Sequence, residues 1–331
     1  MDSKSVFSEK DEDTDSIPDH DRTNIIYEHA VSSTSKPPKF VFMIDCLDGY
    51  SLRQLMEIIK LSLTSCPLFL SKEGIIIQRG NGVKTVILSA ELFHHNFACY
   101  HLDPELVNYP GDESSEYYHI ICPNIIKLRE AIRSVARKEG IRIYQYEGDP
   151  FIYIQVYGGT KNAEGCGAVV PLEPYEPIDY VLDEYRQPFT EPNCKIPLAE
   201  FCGFCSVIAK YRGVHYVEFR TYLKGVWIMS MDSSHRVLSD KKWGDCDDSH
   251  RVPIVIPGGP RIIFHGPSLT DEASSYYSIK VPLETIKALA KMTNLVVNGL
   301  LRIFAEHNKL LRLQTHINYY GPLTFYLRES E

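Results

Sequence analysis

Long apolar runs are missing from this chain of 331 residues. None approaches the roughly 18 residues a helix needs to cross a bilayer, so no membrane span is expected. The N-terminus is acidic and polar, without the basic-then-apolar order of a leader, and no signal or transit peptide is expected. Tryptophan is scarce at two residues, and a basic excess is absent, since the net charge is −8. A protein that coats nucleic acid with uniform positive charge is thereby excluded. Cysteines number nine at irregular spacing, an odd count that predicts reduced thiols in an intracellular setting and argues against a disulfide framework. What is there is an ordinary globular composition, 44% hydrophobic and 24% charged, enough for one large domain or two.

Residues 1–36 hold nine acidic and four basic residues with little apolar periodicity, the composition of a disordered acidic tail. Pro37-Pro38 closes it. A second break, 158–192, is dense in Gly and Pro and reads as a connector. The segments on either side, 37–157 and 193–331, share one plan. In the first, a strand at 40–46 precedes a helix at 51–65, then hairpin-like strands; "YYHIICP" leads into a helix at 123–139 and the pair "GIRIYQYEGDPFIYIQVY". In the second, a helix at 197–212 precedes "VHYVEFRTYLKGVWIMSMDSSHRVL", and "YYSIKVP" leads into a helix at 282–297 and the closing strands. The pattern is a duplicated α+β architecture with two helices per half.

The four helical segments share a charge bias. Each has an apolar stripe at helical spacing, and together they carry eleven Lys/Arg against five Asp/Glu. That +6 leaves −14 for the rest of the chain. Basic helix faces inside an acidic molecule attract a phosphate backbone at one place and repel it elsewhere. No base-reading motif accompanies them, so such binding is expected to ignore sequence.

Other stretches have chemistry-bearing residues. Asp232-Ser233-Ser234-His235 contains the residue types of a hydrolytic triad, but four consecutive positions cannot converge as three separate elements do. Asp and Ser favour turns by bonding their own backbone, and a strand-ending turn is expected. Cys202 and Cys205 in "FCGFC" have redox spacing, which makes a thiol oxidoreductase the alternative from another class. Pro197 at the helix start puts Cys202 in the second turn, past the unpaired amides that lower a thiol pKa, and both cysteines fall on the apolar stripe. His94-His95 lacks metal-ligand spacing, no second CxxC supports zinc, and "GNGVKT" lacks the order of a phosphate loop. No metal or cofactor is expected.

The C-terminal "LLRLQTHINYYGPLTFYLRE" resembles the final hairpin of the sliding clamps of the proliferating cell nuclear antigen family, with Ile317, Gly321, Leu323, Tyr326 and Leu327 on its pattern. "CKIPLAEFCGF" resembles that family's entry into its second half, and "SKEGIIIQ" and "YLKGVWIMS" its Gly-led third strands. The Met-Asp-Ser-Ser-His run usual in the first half stands here in the second, at Met231–His235, where the first half has "RGNG".

The resemblance covers about residues 40 to 329 and implies a non-enzymatic DNA clamp. It acts as a polymerase processivity factor in replication and repair, closes as a homotrimer, and has duplex DNA, a polymerase and a clamp loader as partners. It implies that Arg53, Lys60, Lys127, Arg133, Arg137, Lys138, Lys210, Lys287 and Lys291 face DNA. A partner-peptide pocket is implied at Val83, Ile178, Val181, Leu310 and Tyr326. The subunit interface is implied at two strands, 151–157 and 226–231, through Tyr157, Ile228 and Met229. One subunit of a heterotrimeric checkpoint clamp is the alternative within the fold. The expected setting is the nucleus, or the cytoplasmic replication compartment of a virus.

Overall fold

The computed structural model describes residues 39–62, 67–80, 85–106, 119–158, 167–175, 191–246, 276–296, 298–306 and 310–328. The acidic segment 1–36, Val83, Ile178, Val181 and most of the 158–192 span lie outside them.

The first half runs β1 (Phe40–Cys46), α1 (Gly49–Ser62), β2 (Leu68–Ser71), β3 (Gly74–Gly80), β4 (Val86–Phe93), β5 (Cys99–Leu102), β6 (His119–Ile121), α2 (Ile125–Ile132), β7 (Gly140–Tyr146), β8 (Phe151–Tyr157) and β9 (Gly167–Pro171). The second runs β10 (Cys194–Pro197), α3 (Leu198–Ile208), β11 (Tyr216–Thr221), β12 (Lys224–Met231), β13 (Val237–Asp245), β14 (Tyr277–Pro282), α4 (Leu283–Ala290), β15 (Leu300–Glu306), β16 (Leu310–Ile317) and β17 (Gly321–Arg328). Every pairing between these strands is antiparallel.

Three sheets result: β5-β1-β7-β8-β9, β13-β12-β11-β14, and an eight-stranded sheet β10-β15-β16-β17-β4-β3-β2-β6. The eight-stranded sheet is shared by the two halves, which meet where β17 pairs with β4. The duplication is visible in this order. The run β1-β7-β8-β9 of the first half corresponds to β10-β15-β16-β17 of the second, and β4-β3-β2-β6 corresponds to β13-β12-β11-β14.

Strand alternation sets the inner and outer faces. In β8, Ile152 and Ile154 are buried, while the alternate residues Tyr153 and Gln155 are only partly covered; successive side chains point to opposite faces. Gly74 opens β3 and Gly225 stands second in β12, because backbone passes too close for a side chain there. A Cβ at Gly74 would lie 2.0 Å from the Leu92 carbonyl oxygen, and one at Gly225 2.4 Å from that of Asp245. At Gly74 the backbone also has φ of +141°, a region open to glycine alone.

The helices form a row, α2 against α1, α1 against α4, and α4 against α3. Their apolar stripes supply Leu55, Ile58 and Ile59, then Leu128 and Ile132, then Phe201, Cys202, Cys205 and Ile208, then Ile286 and Leu289, all to one core with the sheets. Among the described residues no helix is long and apolar enough to cross a membrane.

Three expectations are corrected. α2, α3 and α4 are shorter than the spacing predicted: α2 stops at Ile132, and the Val135 amide bonds the Ile132 carbonyl in a tighter turn. Val135 is nevertheless buried, so the apolar spacing continues while the helix does not. The span 158–192 contains β9, a regular strand within what reads as connector. And 151–157 and 226–231 are not sheet edges. β8 pairs with both β7 and β9, and β12 with both β11 and β13.

Candidate functional site

The helix row brings part of the predicted basic set together. At the start of α1, Tyr50 holds two guanidinium groups, Arg53 with its carbon 5.6 Å from the ring centroid and Arg137 at 5.4 Å. Both separations suit cation–π attraction. Arg53 Nη1 also donates to the Val135 carbonyl at 2.9 Å, which ties α1 to the turn after α2. Arg133, Arg137 and Lys138 are exposed on that turn, beyond the helix, and Lys60 is exposed in the last turn of α1. Arg129 bonds Glu57 at 2.9 Å and links α2 to α1, so its charge is committed within the chain.

The rest of the set is thinner. Lys127 pairs with Glu130 at 3.2 Å and Lys287 with Glu284 at 2.6 Å, each on its own helix. Lys210 is exposed past the end of α3, and Lys291 is exposed in a one-turn 3-10 segment after α4. The exposed face of α3 shows Ala199, Gly203 and Val207, with little positive charge. The basic bias is therefore concentrated in the first half. Tyr50 was missed from the sequence. Its signal is an aromatic three residues before Arg53, the helical spacing at which side chains meet.

Leu310 and Tyr326 come together in a small cluster with Ile87, separate from the main core. In the β17–β4 ladder Tyr326 faces Ile87, while its neighbours Phe325 and Leu327 point into the main core. Next along the same outer face, Arg312 faces Tyr326 across β16–β17 and stacks on Phe304 with its guanidinium 3.8 Å from the ring centroid. Ile87 was not predicted, because the run Val86-Ile87-Leu88 is apolar throughout and shows no alternation.

Tyr157, Ile228 and Met229 do not form an exposed subunit edge, which corrects that expectation. Ile228 and Met229 are buried within the chain, and the Tyr157 hydroxyl donates to the Cys46 carbonyl at 3.4 Å. The edges lie one strand further on. Among the described residues β9 and β13 each pair with a strand on one side only, and the far side of β9 is met at its end, where the Asn124 amide donates to the Pro171 carbonyl at 3.0 Å.

The duplication states what those edges correspond to. Starting from Gly74 and Gly225, six residues along each strand, Gly80 faces Ile87 and Met231 faces Val237. Likewise Arg142 faces Gln155 and Arg302 faces Gln314, which aligns Tyr153 with Arg312, Phe151 with Leu310, and Val169 with Tyr326. The trio Ile87, Leu310 and Tyr326 is 2%, 4% and 8% exposed, whereas its counterparts Val237, Phe151 and Val169 are 47%, 38% and 52% exposed. One set of equivalent positions is covered by a strand junction inside the chain. The other stands open.

The competing motifs resolve structurally. Asp232 Oδ1 accepts from the amides of Ser234 at 2.8 Å and Arg236 at 2.9 Å, and its Oδ2 accepts from Arg236 Nε at 2.9 Å. These bonds, led by the Arg236 amide, hold its carboxyl below the ordinary range. His235 Nδ1 lies 2.8 Å from the Tyr216 hydroxyl and the residue has φ of +59°, so Asp232–His235 is a tight turn between β12 and β13. Cys202 and Cys205 are fully buried, and burial pushes the Cys202 thiol up to about 11 and that of Cys205 well above its ordinary value. A redox pair needs an accessible thiolate, and the oxidoreductase alternative falls on that ground. His94 and His95 sit in a one-turn helix.

Duplicated halves, four helices in a row against antiparallel sheets, and a sheet shared across the half-boundary define the sliding-clamp fold. Solved structures bear this out. The Entamoeba histolytica proliferating cellular nuclear antigen superposes with a TM-score of 0.61 at 12% identity, over 88% of this chain and 99% of that one. A structure of the Sulfolobus tokodaii PCNA2–PCNA3 complex gives a TM-score of 0.59 at 10% identity, over 86% and 98%. No family model matches the chain, and no curated protein does. The chain has the fold of a divergent clamp similar to proliferating cell nuclear antigen, carried at very low sequence identity.

Proposed function

We propose that this protein is a non-enzymatic sliding clamp that closes as a ring of three identical chains around duplex DNA and tethers a polymerase. Six strands end a sheet among the described residues, and the observation that carries this reading is that two of them, β9 and β13, are the counterparts of strands joined inside the chain. Inside the chain β17 pairs with β4; their counterparts β9 and β13 each lack a strand partner on one side among the described residues. Joining β9 of one subunit to β13 of the next repeats the internal junction and buries Val169, Phe151 and Val237. Such head-to-tail contact closes when the rotation permits, and it removes exposed edges that otherwise invite aggregation.

The helix row then faces the DNA. Tyr50, Arg53, Arg133, Arg137 and Lys138 form its densest phosphate-binding patch, with Lys60, Lys127, Lys210, Lys287 and Lys291 around it. The clamp raises the polymerase's effective concentration at the primer end without chemistry of its own. The Ile87–Leu310–Tyr326 cluster is the proposed seat of the polymerase tail, which docks there by displacing what covers these buried side chains.

Light scattering tests the assembly. The expected mass is three times the chain mass of 37.8 kDa, and Val237→Asp should reduce it to that of one chain. A wild-type protein that stays a monomer at micromolar concentration removes the homotrimer and leaves the heterotrimeric alternative.

A further inference from the structure

The solvent face of the five-stranded sheet has an aromatic array that the clamp function does not use. Phe40 stacks on Tyr146 with ring centroids 4.9 Å apart, and Tyr144 stacks on Tyr153 at 5.3 Å. Phe40 meets Tyr144 edge-on at 5.7 Å, and Tyr146 meets Tyr153 at 5.5 Å. Met43 extends the array, facing Tyr144 across the β1–β7 ladder. Phe42, Ile44, Ile152 and Ile154 fill the core, and a register shift between Phe40 and Phe42 sets Phe40 opposite Tyr146 on the other face. All four aromatics remain partly open to solvent.

The rim of this face is acidic. Asp149 in the β7–β8 turn accepts from the Tyr153 hydroxyl at 2.6 Å, and Glu147 beside it is exposed. The Glu147 amide bonds the Lys39 carbonyl, and Lys39 pairs with Glu105 at 3.6 Å near Asp103. Among the described residues these four carboxylates stand against one ammonium group, and Arg142 on the same face is paired with Asp45 at 2.6 Å. The equivalent face of the second half is different, because Arg312 occupies the position of Tyr153 and Phe304 that of Tyr144.

We propose that the Phe40–Tyr144–Tyr146–Tyr153 face is a second docking surface, which takes a short partner segment with an apolar anchor flanked by lysine or arginine. Tyrosine rings give large contact area with few rotors to freeze. Their faces attract cations, and the carboxylate rim adds Coulomb attraction while repelling nucleic acid and acidic peptides. All the residues involved belong to one chain.

The probes are two fluorescent synthetic peptides with the same Leu-Phe-Tyr core, one flanked by arginines and one by glutamates, titrated against the full-length protein. The arginine-flanked peptide should bind, with affinity falling as salt rises. Tyr144→Ser combined with Tyr153→Ser should weaken it about tenfold or more. Glu147→Lys, an exposed change that leaves the packing intact, should weaken it severalfold. Tyr326→Ala should leave it unchanged. Equal binding of both peptides, no binding of the arginine-flanked one, unchanged affinity in Glu147→Lys, or loss in Tyr326→Ala would each overturn the proposal.

Discussion

Tyr326 stands directly across the β17–β4 ladder from Ile87, and the two share a cluster with Leu310 on the outer face of the eight-stranded sheet. Its neighbour Phe325 points the other way, into the main core. One strand thus separates docking from stability by a single residue step. Tyr326→Ala should abolish binding of the cognate polymerase tail with little change in native mass, measured by calorimetry and light scattering. Phe325→Ala should instead cost about 3–5 kcal/mol of folding stability, as aromatic truncations in packed cores do. If the tail binds Tyr326→Ala as it binds wild type, the docking seat lies elsewhere.

The basic residues should not contribute equally. Reversing Arg133, Arg137 and Lys138 to Glu should abolish retention on circular duplex DNA. Lys127→Glu and Lys287→Glu should do much less, because each lysine already has a carboxylate partner on its helix. Tyr50→Leu removes no charge but frees Arg53 and Arg137, and should weaken retention severalfold. The logarithm of affinity against the logarithm of salt should flatten by about 1 for each phosphate that the variant no longer neutralises. Equal losses from the paired and the unpaired lysines would indicate that these faces act only through net charge.

Buried thiols set an alkaline limit. Burial pushes Cys46 up to about 12 and Cys194 and Cys202 up to about 11, from an ordinary 9.0. An unfolded chain releases these protons near pH 9, whereas the folded chain keeps them, so the folded state binds more protons above that pH. Stability is therefore fully present below pH 9 and is lost as pH rises through about 11 to 12. Thermal melts should show a decline over that window, shallower in Cys46→Ala. In the same native protein Cys202 and Cys205 should resist alkylation at neutral pH, and Cys202→Ala should cost about 1–2 kcal/mol. Rapid alkylation of either thiol in the folded state would contradict their burial.

Much of the fold was legible because it rests on periodicity. The four apolar stripes mark the helices and their core faces, while the last hairpin was read from the family resemblance at Ile317, Gly321, Leu323, Tyr326 and Leu327. What was hidden is instructive. β9 lies in a Gly- and Pro-dense stretch, and β13 has the sequence Val-Leu-Ser-Asp-Lys-Lys-Trp-Gly-Asp. An edge strand needs only one hydrogen-bonded side and a thin apolar face, so it has little hydrophobic signal. The more apolar β8 and β12 were read as edges, although their apolarity reflects pairing on both sides. Tyr50 and Ile87 escaped for another reason, since each acquires its role from a partner far along the chain. Asp232–His235 was read correctly as a turn because its bonds are local.

The ring claim comes down to one pairing. If β9 meets β13 as β17 meets β4, Val169 stands opposite Val237 of the next subunit. Directly opposed antiparallel residues have Cα atoms about 4.5–5.5 Å apart, within disulfide reach. A chain with both Val169→Cys and Val237→Cys, oxidised and run on a denaturing gel, should give a covalent ring of three chains, while either single variant and the wild type should not. A double variant that assembles but yields no cross-linked ring, or that is trapped instead when the cysteines replace Tyr157 and Met229, would contradict the proposed closure.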